Sequence, residues 1–521
     1  MDFRGAPGHR IDWLDTRIQA GFSNFLFVDR EYRSHPVLRR ICSLARKHNY
    51  QSLLLEELKE EECSSLANEN AALAKRRSDY RGSTVHRLSY WRCLPDQVSG
   101  VGDFIGYAVF KSDRFSGQDH QQDHIYEAVM PSVRGKDQNN FIHCSRRYSV
   151  NTAAGKQTVS GVLYAQQNDL TFVCAHVALR SALASFLPDG DVAYARMNDI
   201  VGIDHQNKLV GGDAGGLSPE DMEKILSSLG GSYQKIVHEP SRGFDLPTEF
   251  QRDLYGIVES GFPALMGFEL DEPAPSPEAS RRHIVPVIGH TFNEDAWVPE
   301  AQRAYFGNRL GYFSSESWLS AYVLHDDNFG PYYCLPRHFL KKDNFRLILG
   351  LQPPQVAVSA TDAEAVAFDF FRAIARSNRR IGQDWYDRFA VFSRQNLLVL
   401  RALLVTRQAY LRHLREMRSW EDVSVETASI KRLELTLPER FWMVEASAQE
   451  LFSASRRKFG EVLISSAEPL PRPLNIKPLL AMRLPSLFLI PEAGGLTPVE
   501  TGLQSHTPLF TLTQSEPESQ S

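Results

Sequence analysis

An α+β fold is what this sequence predicts, and three observations carry the prediction. Long stretches within residues 1–82, and again from Asp362 to about 418, place apolar side chains at three- and four-residue spacing with charges between them, the period of amphipathic helices. Residues 83–164 are short β-branched and aromatic runs broken by Gly, Asp, Asn and Ser, the texture of antiparallel strands. From 164 to 340 two clear helices are mixed with further strands. The 521 residues leave room for about three domains at ~150 residues each. An apolar fraction of 42% with 30 Phe supplies real cores, so the chain is expected to be globular.

Taken in order, SHPVLRRICSLARKHNYQSLLLEELKEEECSSLANENAALAKRR makes 1–82 a mainly helical N-terminal region. HRLSYWRCL, DFIGYAVFK, HIYEAVM, NFIHCSRRYSV and TVSGVLYA make 83–160 an antiparallel β region. A small-residue helix then opens at Cys174. GLSPEDMEKILSSLG (216–230) is a second helix, with Ser218 as N-cap, Pro219 at the first helical position and Asp221 three residues after the cap. A proline-rich acidic loop at 271–280 precedes the strand RHIVPVIGHTF (282–292). WLSAYVLHDD and YYCLPRHFL are strands bracketing the turn residues NFGP. AEAVAFDFFRAIARSNRR and WYDRFAVFSRQNLLVLRALLVTRQAYLRHLREM predict long amphipathic helices. A helix at 448–458 and the apolar strands of PLLAMRLPSLFLIPEAG complete a C-terminal helical and β domain over 360–505. Residues 506–521, polar and ending SEPESQS, are expected to be a disordered tail.

Composition excludes several classes. A formal net charge of −5 is small for this length and argues against a dedicated nucleic-acid surface. The arginines of 372–418 read as a solvated helix face, with a protein partner of the C-terminal domain as the alternative. Six cysteines (42, 63, 93, 144, 174, 334) form no C-x-x-C pair, so neither a disulfide framework nor a zinc ribbon is expected. The first residues lack the apolar core of a signal peptide, and no run of 18 apolar residues occurs. A reducing, cytoplasmic setting without a membrane span is the expectation.

The segment YAQQNDLTFVCAHVALRSALASFL (164–187) carries the chemistry. A thiol on the first turn of a helix faces unpaired backbone N–H groups and the positive end of the helix dipole, which favour thiolate. The plainer reading of such a cysteine is a small buried hydrophobe. Gln166 and Gln167 upstream offer a side-chain donor for an oxyanion. A thiol nucleophile also needs a base and a group to orient it. His283 heads the strand HIVPVIG, and VLHDDNFG supplies Asp326 and Asp327 on the next strand.

In this order and on these elements the chain resembles the papain-like cysteine peptidases, and among them the bacterial double-glycine leader (bacteriocin-processing) peptidases. The resemblance covers about 160–340. It implies a papain-like core of helix plus antiparallel sheet at 161–345, flanked by an N-terminal α/β region and the C-terminal mixed domain. It places Cys174 as nucleophile, His283 as base, Asp326 as orienter with Asp327 as alternative, and Gln167 at the oxyanion with Gln166 as alternative. The chain departs from the family in having Ala175 where Gly follows the nucleophile. Asn168 stands at the family's glutamine offset, and Asp327 stands where Pro follows the acid. No transporter or ATPase segment is present, so leader processing is not implied. The implied activity is acyl transfer from a protein or peptide substrate through a thioester, ending in hydrolysis or transamidation. A catalytically inactive scaffold that binds a protein partner is the alternative.

Other residues compete. His290 is a second base candidate, expected to face solvent or a loop at the far end of its strand. His176 lies about 200° around the helix from the thiol. His325, Cys334 and His338 with the two aspartates are a weak metal reading without paired spacing, and no H-E-x-x-H occurs. Asp119-His120 and Asp123-His124 read as a solvated loop. SGVGDFIG lacks the G-x-G-x-x-G register. No cofactor and no metal is expected.

Overall fold

The computed structural model describes residues 3–16, 30–98, 103–116, 121–133, 140–168, 170–171, 173–187, 190–203, 217–237, 249–269, 282–293, 311–340, 345–376, 398–416, 426–468, 477–484, 487–492, 495–499 and 506–512. They are helices mixed with mainly antiparallel sheet, an α+β arrangement. The chain forms two compact units. One comprises Met1–Gly243, Phe262–Gly289 and Tyr322–Leu351, and the other Phe244–Gly261, His290–Ala321 and Gln352–Ser521.

The first unit holds β1 (His9–Asp15), β2 (Ser52–Glu57), β3 (Tyr80–Trp91), β4 (Phe104–Phe115), β5 (Gln121–Met130), β6 (Asn140–Phe141), β7 (Arg146–Thr152) and β8 (Gly155–Tyr164). All but β6 make one antiparallel sheet in the order β1-β2-β3-β4-β5-β8-β7. Both faces of this sheet are covered. Leu54, Val109 and Tyr126 share a core with the Cys174–Phe186 helix, while Leu53, Leu55, Phe110 and Ile125 share another with the Pro36–Lys47 helix. Alternate side chains of a strand point to opposite faces, so the central strands β2, β4 and β5 feed both cores.

A second sheet is built from β9 (Ser232–Val237), β10 (Ala264–Glu269), β11 (Arg282–Phe292), β13 (Leu319–Asp326), β14 (Gly330–Pro336) and β15 (Phe345–Gln352), in the order β14-β13-β11-β10-β15-β9, with β6 paired to β11. Gly289 permits that pairing, because a Cβ there would stand 2.3 Å from the Phe141 carbonyl oxygen. The Cys174–Phe186 helix contacts β8 and β10. Its Ala178, Ala182 and Ala184 allow the close approach, and Ala175 through Ser185 are all buried.

The second unit contains the helices Glu249–Glu259, Ala360–Arg376, Arg407–Glu416, Glu426–Thr436 and Gln449–Ser453. Its sheet runs β12 (Phe313–Ser314), β16 (Leu398–Thr406), β17 (Arg440–Ala448), β19 (Gly460–Ser465), β20 (Leu479–Leu484), β21 (Leu487–Glu492) and β22 (Gly495–Val499). The short β18 (Arg457–Lys458) pairs with β23 (Thr507–Pro508). Arg401 bridges Glu259 at 2.6 Å and Glu445 at 2.9 Å inside this unit.

Several expectations are corrected. The N-terminal region is not mainly helical, since YQSLLLEEL contains β2, whose residues 52–56 are buried on both faces. The helical stretch expected from Trp385, with room for an interruption, contains β16, interior from Leu398 to Val405, before helix Arg407–Glu416 begins. The helix expected at 448–458 is only Gln449–Ser453. Within the expected tail, residues 506–512 are ordered by packing: Phe510 is buried, its N–H donates to Glu445 and its carbonyl accepts from Arg401. Residues 513–521, and the loop 271–280, lie outside the described residues. No helix among the described residues is long and apolar enough to cross a membrane.

Candidate active site

The loop from β8 to the helix is fastened by its own polar side chains. Gln166 pairs with Ile125 of β5 twice, donating its backbone N–H and accepting the Ile125 N–H on Oε1 at 3.0 Å. Asn168 is fully buried. Its Oδ1 accepts from the Leu170 and Thr171 amides, and its Nδ2 donates to Glu69 at 2.6 Å and Thr171 Oγ1 at 2.8 Å. Such side-chain turns compete with regular structure, and Val173, the residue before the helix, is extended. The helix begins at Cys174, as the sequence predicts, and the Cys174 amide is the first of the N–H groups without an intrahelical acceptor. Cys174 is half-buried, as is Cys334, while the other four cysteines are buried.

His283 is the second residue of β11. Cross-strand pairing sets it opposite Phe268 of β10, and the two rings meet edge to face at 5.5 Å. Its Nε2 lies 3.3 Å from Asp326 Oδ2 and 3.2 Å from Asp327 Oδ1, and the Cys174 thiol is near enough to the ring to favour its protonated form. The structure thus brings Cys174, His283, Asp326 and Asp327 together.

Asp326 closes β13 and folds back on its own turn: Oδ1 accepts the amides of Asn328 at 2.8 Å and Phe329 at 3.1 Å. That leaves Oδ2 to face His283. Tyr164 fixes the turn from β8, donating its hydroxyl to the carbonyls of Asp326 and Asp327.

The electrostatics follow. Burial disfavours charge on the His283 ring, but the hydrogen bond to Asp326, the contact with Cys174 and the charges of both aspartates outweigh it and raise its pKa to about 11. The ring is therefore an imidazolium at neutral pH. Burial pushes Asp326 upward, yet His283 and the two turn amides hold it below the ordinary carboxylate range.

The competing residues are placed elsewhere. His290 does not face solvent; it is buried and paired with Glu259. His176 is buried, with Nε2 2.8 Å from Asn198 Oδ1. His325 is buried with Nδ1–H donating to the Leu163 carbonyl, and burial lowers its pKa to about 3. Among the described residues His325, Cys334 and His338 form no cluster. His124 is a buried strand residue rather than part of a solvated loop, and 119–120 lie outside the described residues. Among the described residues two groups of side chains have metal-compatible spacing, His283 with Asp326 and Asp327, and His413 with Glu445 and Glu461. In the first, the His283 ring itself pairs with both carboxylates. The Lys458 ammonium occupies the second, 3.2 Å from His413 and 2.7 Å from Glu445.

Sequence reasoning missed Glu69, Tyr164 and Phe268, which support the site from 10 to more than 100 positions away in the chain. Nothing local in the sequence marks them. No protein-family profile matches this chain, and no curated protein or solved structure matches it.

Proposed function

We propose that this chain is a papain-like thiol hydrolase acting on a peptide or isopeptide through a Cys174–His283–Asp326 triad. The observation that carries the reading is the convergence of a thiol at a helix N-terminus, a half-buried histidine on β11 and a turn-locked carboxylate on β13. A helix that starts at the nucleophile and packs on β8 and on β10, the neighbour of the base-bearing β11, is the arrangement expected of a papain-like core.

In this mechanism the Cys174 sulfur attacks the acyl carbon, and the carbonyl electrons move onto oxygen. In this reading the Cys174 amide donates to that oxyanion, with the Gln167 side chain as the second donor. Collapse expels the amine, which takes its proton from His283, and leaves an acyl-thioester on Cys174. Neutral His283 then removes a proton from water, which attacks the thioester, and the thiol and acid are released. An amine in place of water gives transamidation. Asp326 keeps the ring oriented throughout. A reducing compartment keeps the thiol free, and no cofactor or metal enters these steps.

One observation favours the inactive scaffold as a second reading. Both ends of the Asn168 side chain are committed, to Glu69 and to the Leu170–Thr171 turn, which removes the donor at the oxyanion offset. An electrophilic peptide probe separates the readings. Full-length protein is expected to form one covalent adduct, and Cys174→Ala, with unchanged circular dichroism, none. Equal labelling of the variant refutes the hydrolase.

A further inference from the structure

The sequence replaces the family's acid–proline pair with two consecutive aspartates, and both reach the same atom. Asp326 Oδ2 and Asp327 Oδ1 stand 3.3 and 3.2 Å from His283 Nε2, with side chains 6% and 2% exposed. Neighbours along a strand point to opposite faces. Asp327 escapes this because it is the first residue beyond β13, where the chain has begun to turn toward Gly330 at φ +97°. Asn328 Nδ2 donates to Asp327 Oδ1 at 3.4 Å, and the Tyr164 hydroxyl fixes the carbonyls of both aspartates.

We infer that Asp327 is a positioning residue, a second anion on His283 that holds the imidazolium charged at pH values where one aspartate would have let it go. The inference rests on the thiol-hydrolase reading. Orientation needs only one acceptor, and Asp326 supplies it from a locked turn. The second carboxylate adds charge. While His283 remains an imidazolium, an acid is available for the leaving amine and a cation stands beside the sulfur. Losing that proton sets the alkaline limit of reactivity.

The other groups facing the ring do not duplicate Asp327. Cys174 faces it from the helix, and Phe268 from β10 is apolar. Tyr164 from β8 is neutral, since burial and the two aspartates push its phenol far above the ordinary value. His325 is neutral and directed at Leu163. The raised pKa of His283, to which both aspartates contribute, agrees with the geometry.

The test is the pH dependence of Cys174 alkylation by iodoacetate, an anion drawn to the imidazolium, followed by peptide mass spectrometry on the full chain. Wild type is expected to lose reactivity only above about pH 10, and Asp327→Asn to lose it about one to three units lower, the usual effect of an adjacent opposite charge. A variant limb coincident with that of wild type overturns the inference and leaves the hydrolase reading standing. A wild-type profile with no descending limb, rising like an ordinary thiol, overturns both. Should Asp327→Asn fail to fold, nitrogen-15 NMR of histidine-labelled wild type decides: a His283 ring still protonated at pH 8 supports the inference, and one that deprotonates below pH 8 overturns it.

Discussion

Replacing Asn168 by alanine separates a loop fastener from an oxyanion donor. Asn168 stands six residues before Cys174, where the proposed mechanism would look for an oxyanion donor, but its four hydrogen bonds all stay inside the loop and on Glu69. In the variant the Thr171 amide, on a residue only 1% exposed, loses its acceptor. A buried unpaired donor costs about 1–3 kcal/mol. Leu170 is half-buried, so water replaces part of its bond. Glu69 keeps the Thr171 hydroxyl at 2.8 Å but loses its Asn168 donor, a further ~1 kcal/mol or more. The sum is about 3 kcal/mol of local stability, or roughly a 100-fold rise in opening. Burial is the main reason that the Glu69 pKa rises to about 7; Lys111, Thr171 and Asn168 oppose the rise, and Asp113 adds to it. Asn168 favours the ionised carboxyl, so the cost is smaller at pH 5, where Glu69 is neutral in both proteins, and grows toward pH 8. Hydrogen–deuterium exchange of the segment 165–187 reads this directly. Unchanged exchange combined with a large fall in acylation rate would refute the reasoning and make Asn168 a catalytic donor.

Two further outcomes follow from buried contacts. Arg180, beneath the nucleophile on its helix, contacts Glu127 at 2.6 Å and Asp191 at 2.8 Å. Arg180→Met leaves buried Glu127 without that partner and is expected to cost about 3–5 kcal/mol, seen as a lower thermal midpoint; a midpoint within a degree of wild type contradicts the burial of this pair. Phe510→Ala removes a ring from the core shared with Leu403, Tyr410 and Phe441, at about 3–5 kcal/mol. Faster amide exchange in β16 and β17 is its signature, and wild-type exchange there contradicts ordered packing of residues 506–512.

The site was more legible in the sequence than its supports. Cys174 could be placed because a polar loop gives way abruptly to small helix-forming residues, and the Ser218–Pro219–Asp221 start is likewise a local signal; Ser218 and Asp221 do cap each other. His283 and the aspartates lay on runs whose strand character is local too. The errors come from long-range burial. Leu53 to Leu55 and Leu398 to Val405 are interior on both faces, so their strands lack the alternation that distinguishes a strand from a buried helix. His290 was read as exposed because its partner Glu259 lies 31 residues upstream on another element. Asn168 resembled a donor by position, and only its contact with Glu69, 99 residues away, reveals a fastener. Phe510 sits in a polar stretch and is held by Glu445 and Arg401.

The central claim is that His283 activates Cys174. Its most direct test is competition among the six cysteines for a limiting dose of iodoacetamide at pH 6, where an ordinary thiol with a pKa of about 8.5 is almost entirely protonated. Cys334 is the internal control, equally half-buried but with its pKa raised by burial. Peptide mapping is predicted to find the label on Cys174, and to find it lost in His283→Ala. Labelling that favours Cys334, or Cys174 labelling that survives His283→Ala undiminished, contradicts the account.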